Sequence, residues 1–218
     1  ASLGYFKGGF QAFVDLLIER VEEQGGAVRL DAEVRSLHRI EEGGIRVVLD
    51  TREAETAHDA VIATVSPQAM LELAPDLTGS YASMLRELES MGAVALVLAL
   101  DRSLTDGHYW INLPKGADIP FMCLVEHTNY FSSEHYCGDH LFYFGDYLLP
   151  DHPFLGYDKA RLLEIYLPGL KTINPSFRAD WVRDAWLFAE RYAQPVPKVN
   201  QSRSIPPLKT PIPGLWMA

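Results

Sequence analysis

The chain has little cysteine. Only Cys123 and Cys137 occur in 218 residues, too few to staple a domain of this size, so a reducing compartment, the cytoplasm, is the expected location. Long apolar runs are also missing. The longest, Ala93 to Leu100, is strand-sized, whereas a membrane-spanning helix needs about 20 apolar residues. No basic stretch followed by an apolar one stands near the start, so no signal peptide is visible. Positive charge is in deficit: 19 Lys and Arg face 29 Asp and Glu, a net charge of -10. That argues against nucleic acid or an anionic membrane as partner, since both attract a basic surface. No serine sits in a G-x-S-x-G elbow, and the paired carboxylates Glu41 and Glu42 fall in a turn, so nothing supports hydrolysis.

What remains is ordinary for a globular protein, with 48% hydrophobic and 22% charged residues and enough length for one large domain or two small ones. Phe10, Phe13, Val14, Leu17, Ile18 and Val21 recur at helical spacing, and Gly25-Gly26 ends that helix. A short strand is expected at Val28 to Leu30. A hairpin is expected from Val34 to Ile40 and Ile45 to Thr51, turning at Glu41 to Gly44. Val34, Leu37 and Ile40 break strict alternation, which predicts a bulge. Ala60 to Val65 is short and wholly apolar, which suits a strand buried on both faces.

Helical segments are expected near Gln68 to Leu73 and Tyr81 to Glu89. Strands follow at Ala93 to Leu100, Tyr109 to Asn112, Phe121 to Glu126, Leu141 to Leu148 and Trp181 to Tyr192. Between the last two, Lys159 to Leu167 reads as a helix ended by Pro168-Gly169. Six prolines within 194 to 213 leave no room for a helix. Strands outnumber helices after residue 92, which predicts an α+β fold with a mixed, largely antiparallel sheet and flanking helices.

One cluster raises the question of metal: Cys123, His127, His135, Cys137 and His140. Its spacing matches no established zinc pattern, and paired cysteines at C-x-x-C spacing are missing. The plainer reading is one buried cysteine, one loop cysteine and surface histidines.

The stretches GGFQAFVDLL, GGAVRLDAEVRSL and HDAVIATVSP resemble the middle of flavin-dependent amine oxidases, protoporphyrinogen oxidases and phytoene desaturases, with UDP-galactopyranose mutase a more distant relative. The resemblance is specific over residues 8–67 and general beyond. It implies a partial FAD-binding segment over 1–67, a substrate-binding domain over 68–205, and a return at 206–218 toward a last flavin-contacting motif. It also implies FAD as cofactor and a small-molecule substrate. Two departures matter. The G-x-G-x-x-G turn that opens the family is absent, since Gly4, Gly8 and Gly9 have neither its spacing nor its context. The last flavin motif would lie beyond Ala218. The chain is therefore expected to be a piece of a larger protein, inactive by itself, whose partners include the missing FAD-binding segments.

Residue by residue, the resemblance places Val34 against the adenine and Thr64 and Val65 at a strand end beside the dinucleotide. Each also has a plain reading, as a core strand residue or a strand-end hydroxyl. The expected substrate pocket draws on His127, Asn129, Tyr143, Tyr192 and Gln194, aromatic and polar groups at the ends of predicted strands, for which core packing is the alternative. Flavin enzymes that remove a hydride need a dry, shaped pocket more than acid–base groups. Three functions stay open: hydride removal from a C–N or C–C bond, a sugar-mutase reaction without net redox change, or a binding domain without cofactor.

Overall fold

The computed structural model describes residues 4–50, 55–114 and 119–218. The fold is α+β, and the chain divides into two compact units. The first comprises residues 1–65, 69–79 and 207–218, and the second 66–68 and 80–206.

The first unit opens with helix α1 (Gly9–Glu23). Gly8 caps it and Gly9 opens it at φ of 88° and 75°, backbone that glycine adopts without the strain other residues would carry. At the far end the Gly26 amide donates to the Val21 carbonyl across Gly25, whose φ is 83°, a left-handed helix stop. Strands β1 (Val34–Arg39), β2 (Ile45–Leu49) and β3 (Glu55–His58) form an antiparallel sheet in that order. The expected bulge is there, between Val34 and Ser36. Strand β3 was not legible because its residues, ETAH, are polar and its burial slight. Thr51, the expected end of β2, lies outside the described residues.

Two expectations for this unit fail. Val28 to Leu30 is not a strand; Val28 and Leu30 are exposed, and among the described residues no strand pairs with this segment. The run Ala60 to Val65 gives only β4 (Val61–Ala63), which pairs in parallel with β10 (Leu215–Met217). It is not buried on both faces, since Ile62 is 67% exposed. Strand β10 is set by Thr210, a buried hydroxyl that donates to the Leu215 carbonyl at 2.9 Å and accepts from the Ile212 amide at 3.1 Å. Helix α2 (Pro67–Leu73) starts at the boundary and carries the buried Met70.

Helix α3 (Gly79–Glu87) lies in the second unit from Ser80 onward. The frame of this unit is a five-stranded antiparallel sheet: β5 (Ser90–Leu100), β6 (Trp110–Asn112), β7 (Cys123–Glu126), β8 (His140–Leu148) and β9 (Val182–Pro195), in the order β6-β7-β8-β5-β9. Successive side chains point to opposite faces. On one face Val94, Leu96, Leu98 and Leu100 of β5 meet Phe142 and Phe144 of β8 and Leu162, Tyr166 and Leu170 of helix α4 (Lys159–Ile173). Burying each such side chain stabilises by about 1.5–3 kcal/mol.

The sequence stops this helix at Pro168, but α4 runs on to Ile173, more than a turn further, with Pro168 inside. Proline loses one ladder bond and strains the preceding turn. Here Tyr166 and Leu170 are each 1% exposed, and packing on both sides of the break outweighs the local preference. Gly169 helps: a Cβ there would come to 3.4 Å from Phe121 and Pro120, so the helix approaches that loop closely. Within 194–213, the expected loop holds one 3-10 turn, Gln201–Arg203.

Candidate substrate groove and its buried supports

The other face of the five-stranded sheet is open, and register explains its shape. Val97 of β5 lies opposite Tyr143 of β8 on one side and Trp186 of β9 on the other. Ala95 stands likewise between Gly145 and Phe188, and Ala99 between Leu141 and Asp184. The central strand thus offers short side chains, and its neighbours offer tall ones. Strands spaced about 4.8 Å apart then leave a trough along β5 with aromatic walls. It encloses about 610 Å³ and is lined by Val97, Ala99, Leu141, Tyr143, Trp186 and Phe188. The segment before β8 closes one end with Tyr136, Cys137 and Asp139. Trp186 and Phe188 are 43% and 61% exposed, high for aromatic rings, and the volume suits a small-molecule site.

The lining is mostly apolar and electrically quiet. Its one carboxylate, Asp139, is ion-paired with Arg183 at 2.7 Å. Among the described residues its titratable lining groups are the Tyr136 and Tyr143 phenols, the Cys137 thiol and the Asp139 carboxylate. Cys123 sits under this face, buried, with its thiol pushed up by burial and so kept protonated. Among the described residues no group of three His, Cys, Asp or Glu could hold a metal ion.

Behind the groove, β7 ends in a polar clamp. Glu126 is fully buried. It accepts from the Ser103 hydroxyl at 2.6 Å, from the Thr105 amide at 2.9 Å and from the Thr105 hydroxyl. The His140 ring stands 3.7 Å away. Buried charges persist where hydrogen bonds satisfy them. Asn129 extends the clamp, donating to the Thr105 hydroxyl at 2.9 Å and the His108 carbonyl at 3.1 Å.

Of the five expected pocket residues, the groove brings in Tyr143 directly. His127 stands behind the wall: it is 6% exposed, and its Nε2 lies 2.7 Å from the Tyr136 hydroxyl. Burial pushes its imidazole down from the usual range, toward the neutral form. Asn129 holds the loop at Thr105. Tyr192 and Gln194 fall outside the lining, because β9 carries them to its far end, where Gln194 is opposite Met91. Trp186, Phe188 and Tyr136 were missed. A signal existed: MGAVALVLAL alternates small with large residues, marking a strand with one packed face and one shallow face.

In the first unit, Val34 opens β1 half-buried at the bulge. Thr64 is exposed and Val65 half-buried, just past the carboxyl end of β4. Cofactors in open α/β sheets bind beyond the carboxyl ends of parallel strands, and β4 and β10 are such a pair. Val34, Thr64 and Val65 do not form a phosphate cradle.

The family model described as flavin containing amine oxidoreductase matches residues 1–218. No curated protein matches the sequence. Among solved structures, the chain is similar to one described as a protoporphyrinogen oxidase from Exiguobacterium sp. 255-15, with TM-score 0.76 and 15% identity, over 98% of this chain and 46% of that one. It is similar to an oxidoreductase from Methanosarcina mazei, with TM-score 0.69 and 21% identity, over 97% of this chain and 49% of that one. Reduced UDP-galactopyranose mutase also matches, with TM-score 0.66 and 12% identity, over 90% of this chain and 41% of that one. At such identities the likeness is one of fold. The chain spans about half the length of these structures.

Proposed function

The chain belongs to the flavin-containing amine oxidoreductase family, and from that premise we propose that it is the substrate-facing part of an FAD-dependent oxidoreductase that removes a hydride from a C–N or C–C bond. The observation that carries this reading is the open sheet face: an apolar, aromatic-walled groove. A flavin, when bound, supplies the electron chemistry. This chain's own residues bind, orient and exclude water. Trp186, Phe188 and Tyr143 hold an apolar substrate body over the floor of Val97 and Ala99. Val34, Thr64 and Val65 border the flavin.

The rest of the cofactor site is supplied by segments outside these 218 residues. Two facts support that: the chain covers 46% and 49% of two solved relatives, and α1 has no buried residue, with Phe10 64% and Leu17 50% exposed. The chain alone is accordingly proposed to be inactive.

The test uses the gene's full product. Its visible spectrum should show bound FAD. Anaerobic addition of substrate should bleach the flavin band, and Trp186→Ala should slow that bleaching at limiting substrate. Turnover with no acceptor consumed would support a mutase-like reaction instead. A full product without bound flavin would leave only a binding domain.

A further inference from the structure

The five-stranded sheet carries two glycines inside its strands, Gly92 and Gly145, and they differ. A glycine in a strand forfeits side-chain packing and costs backbone entropy. It is found where a bulge, a bend, or the close approach of another backbone or of a ligand requires it. Gly92 of β5 has such a reason within the fold. It lies in the bulge between Met91 and Ala93, and a Cβ there would stand 2.7 Å from Leu155 and 3.0 Å from the Glu190 carbonyl oxygen. Gly145 of β8 has none of these. Its register runs unbroken to β5 and to β7, and its φ is not in the left-handed region. Among the described residues a Cβ would meet only the Cys123 thiol, at an ordinary 3.6 Å. Of the usual reasons, the approach of a ligand is the one left.

Register shows where that ligand would lie. Tyr143, Gly145 and Tyr147 alternate onto the open face of β8, so Gly145 is a gap between two tyrosines in one wall of the groove. It stands in a cross-strand row with Phe188, Ala95 and Cys123, and Phe188 lines the groove. The trough along β5 therefore opens sideways at its Phe188 end, over Gly145 toward β7. We infer that Gly145 is a specificity-determining residue: it makes the site wide enough for a branched or angular ligand, with one arm along β5 and a second over Gly145. This rests on the groove being the substrate surface and adds the shape of the substrate. Polarity is a separate matter, since Tyr136, Cys137 and Asp139 at the closed end can meet polar groups of the same ligand.

The test measures dissociation constants of two neutral isomers by equilibrium dialysis against the gene's full product: trans-stilbene, which is straight, and 1,1-diphenylethylene, which branches. Both have the same atoms, so their ratio reads shape. The wild type is expected to bind both, with constants within about threefold of each other. Gly145→Val introduces a residue that strands favour and fills the gap. It should weaken the branched isomer about tenfold and the straight one less than about twofold, because a ring pushed back into water loses most of its burial. Gly145→Ala adds one carbon in ordinary contact, should move the ratio the same way by about threefold, and carries the test if valine impairs folding. Trp186→Ala should weaken both isomers. A wild type that disfavours the branched isomer by about tenfold or more overturns the inference, and this measurement needs no variant to fold. So does an unchanged ratio in a folded Gly145→Val or Gly145→Ala. If neither isomer binds, or Trp186→Ala changes nothing, the groove reading falls and the inference with it. If Trp186→Ala weakens both and only the ratio stays fixed, the inference alone falls.

Discussion

Glu126→Gln is the sharpest perturbation this structure offers. The carboxylate is fully buried and accepts three hydrogen bonds from Ser103 and Thr105. Glutamine keeps the shape but replaces one acceptor oxygen with an NH2 that faces donors. One or two charge-assisted bonds are lost, at about 1.5–3 kcal/mol each. Desolvating a neutral amide costs less than desolvating an anion, which offsets part of this. A net loss of about 3 kcal/mol follows, or roughly 6–12 °C in Tm for a protein of this size. Differential scanning calorimetry at pH 7 measures it. Hydrogen exchange localises it, since the Thr105 amide donates to the carboxylate and should lose protection before the β5 and β8 amides do. A Tm within about 1 °C of wild type, with Thr105 still protected, would refute the account of Glu126 as the clamp of this loop.

Three further outcomes are expected. The Tyr166 hydroxyl is buried without a hydrogen-bond partner among the described residues, and burial pushes its pKa up. Tyr166→Phe should therefore leave thermal stability equal or raise it by about 1 kcal/mol, and a clear drop in Tm would reveal an unseen partner. Because burial lowers the His127 pKa, the unfolded chain binds more protons below its ordinary value of about 6.5. Stability should be full above that value and fall as pH drops from it toward the folded pKa, a loss that denaturant titrations should not find in His127→Phe. Cys137 is exposed and Cys123 buried with its thiol pushed up. Iodoacetamide at pH 7.5 should modify Cys137 alone, as peptide mapping would show; rapid modification of Cys123 would contradict the burial of β7.

The sequence by itself determined what rests on local periodicity and chain chemistry. The stripe of α1, its glycine stop, the bulge after Val34, the apolar run of β5 and the predominance of strands after residue 92 all follow from side-chain spacing. The quoted stretches over residues 8–67 were enough to point to the flavin-dependent family. Tertiary structure decided what depends on partners distant along the chain. Whether α4 ends at Pro168 or runs on to Ile173 depends on burial of Tyr166 and Leu170, which no local rule contains. Whether Ala60 to Val65 is covered on both faces depends on which elements pack against it, and Ile62 stays exposed. The groove is the clearest case. Trp186 looks like core in a linear reading, and it becomes groove wall because antiparallel register sets it beside Val97, on the face that α4 does not cover. Likewise His127 and Glu126 are neighbours of similar polarity in sequence. Glu126 ends β7 in a buried clamp, and His127 opens the 3-10 turn that follows, with its ring against Tyr136 and Tyr143; that division exists only once the sheet has two different sides.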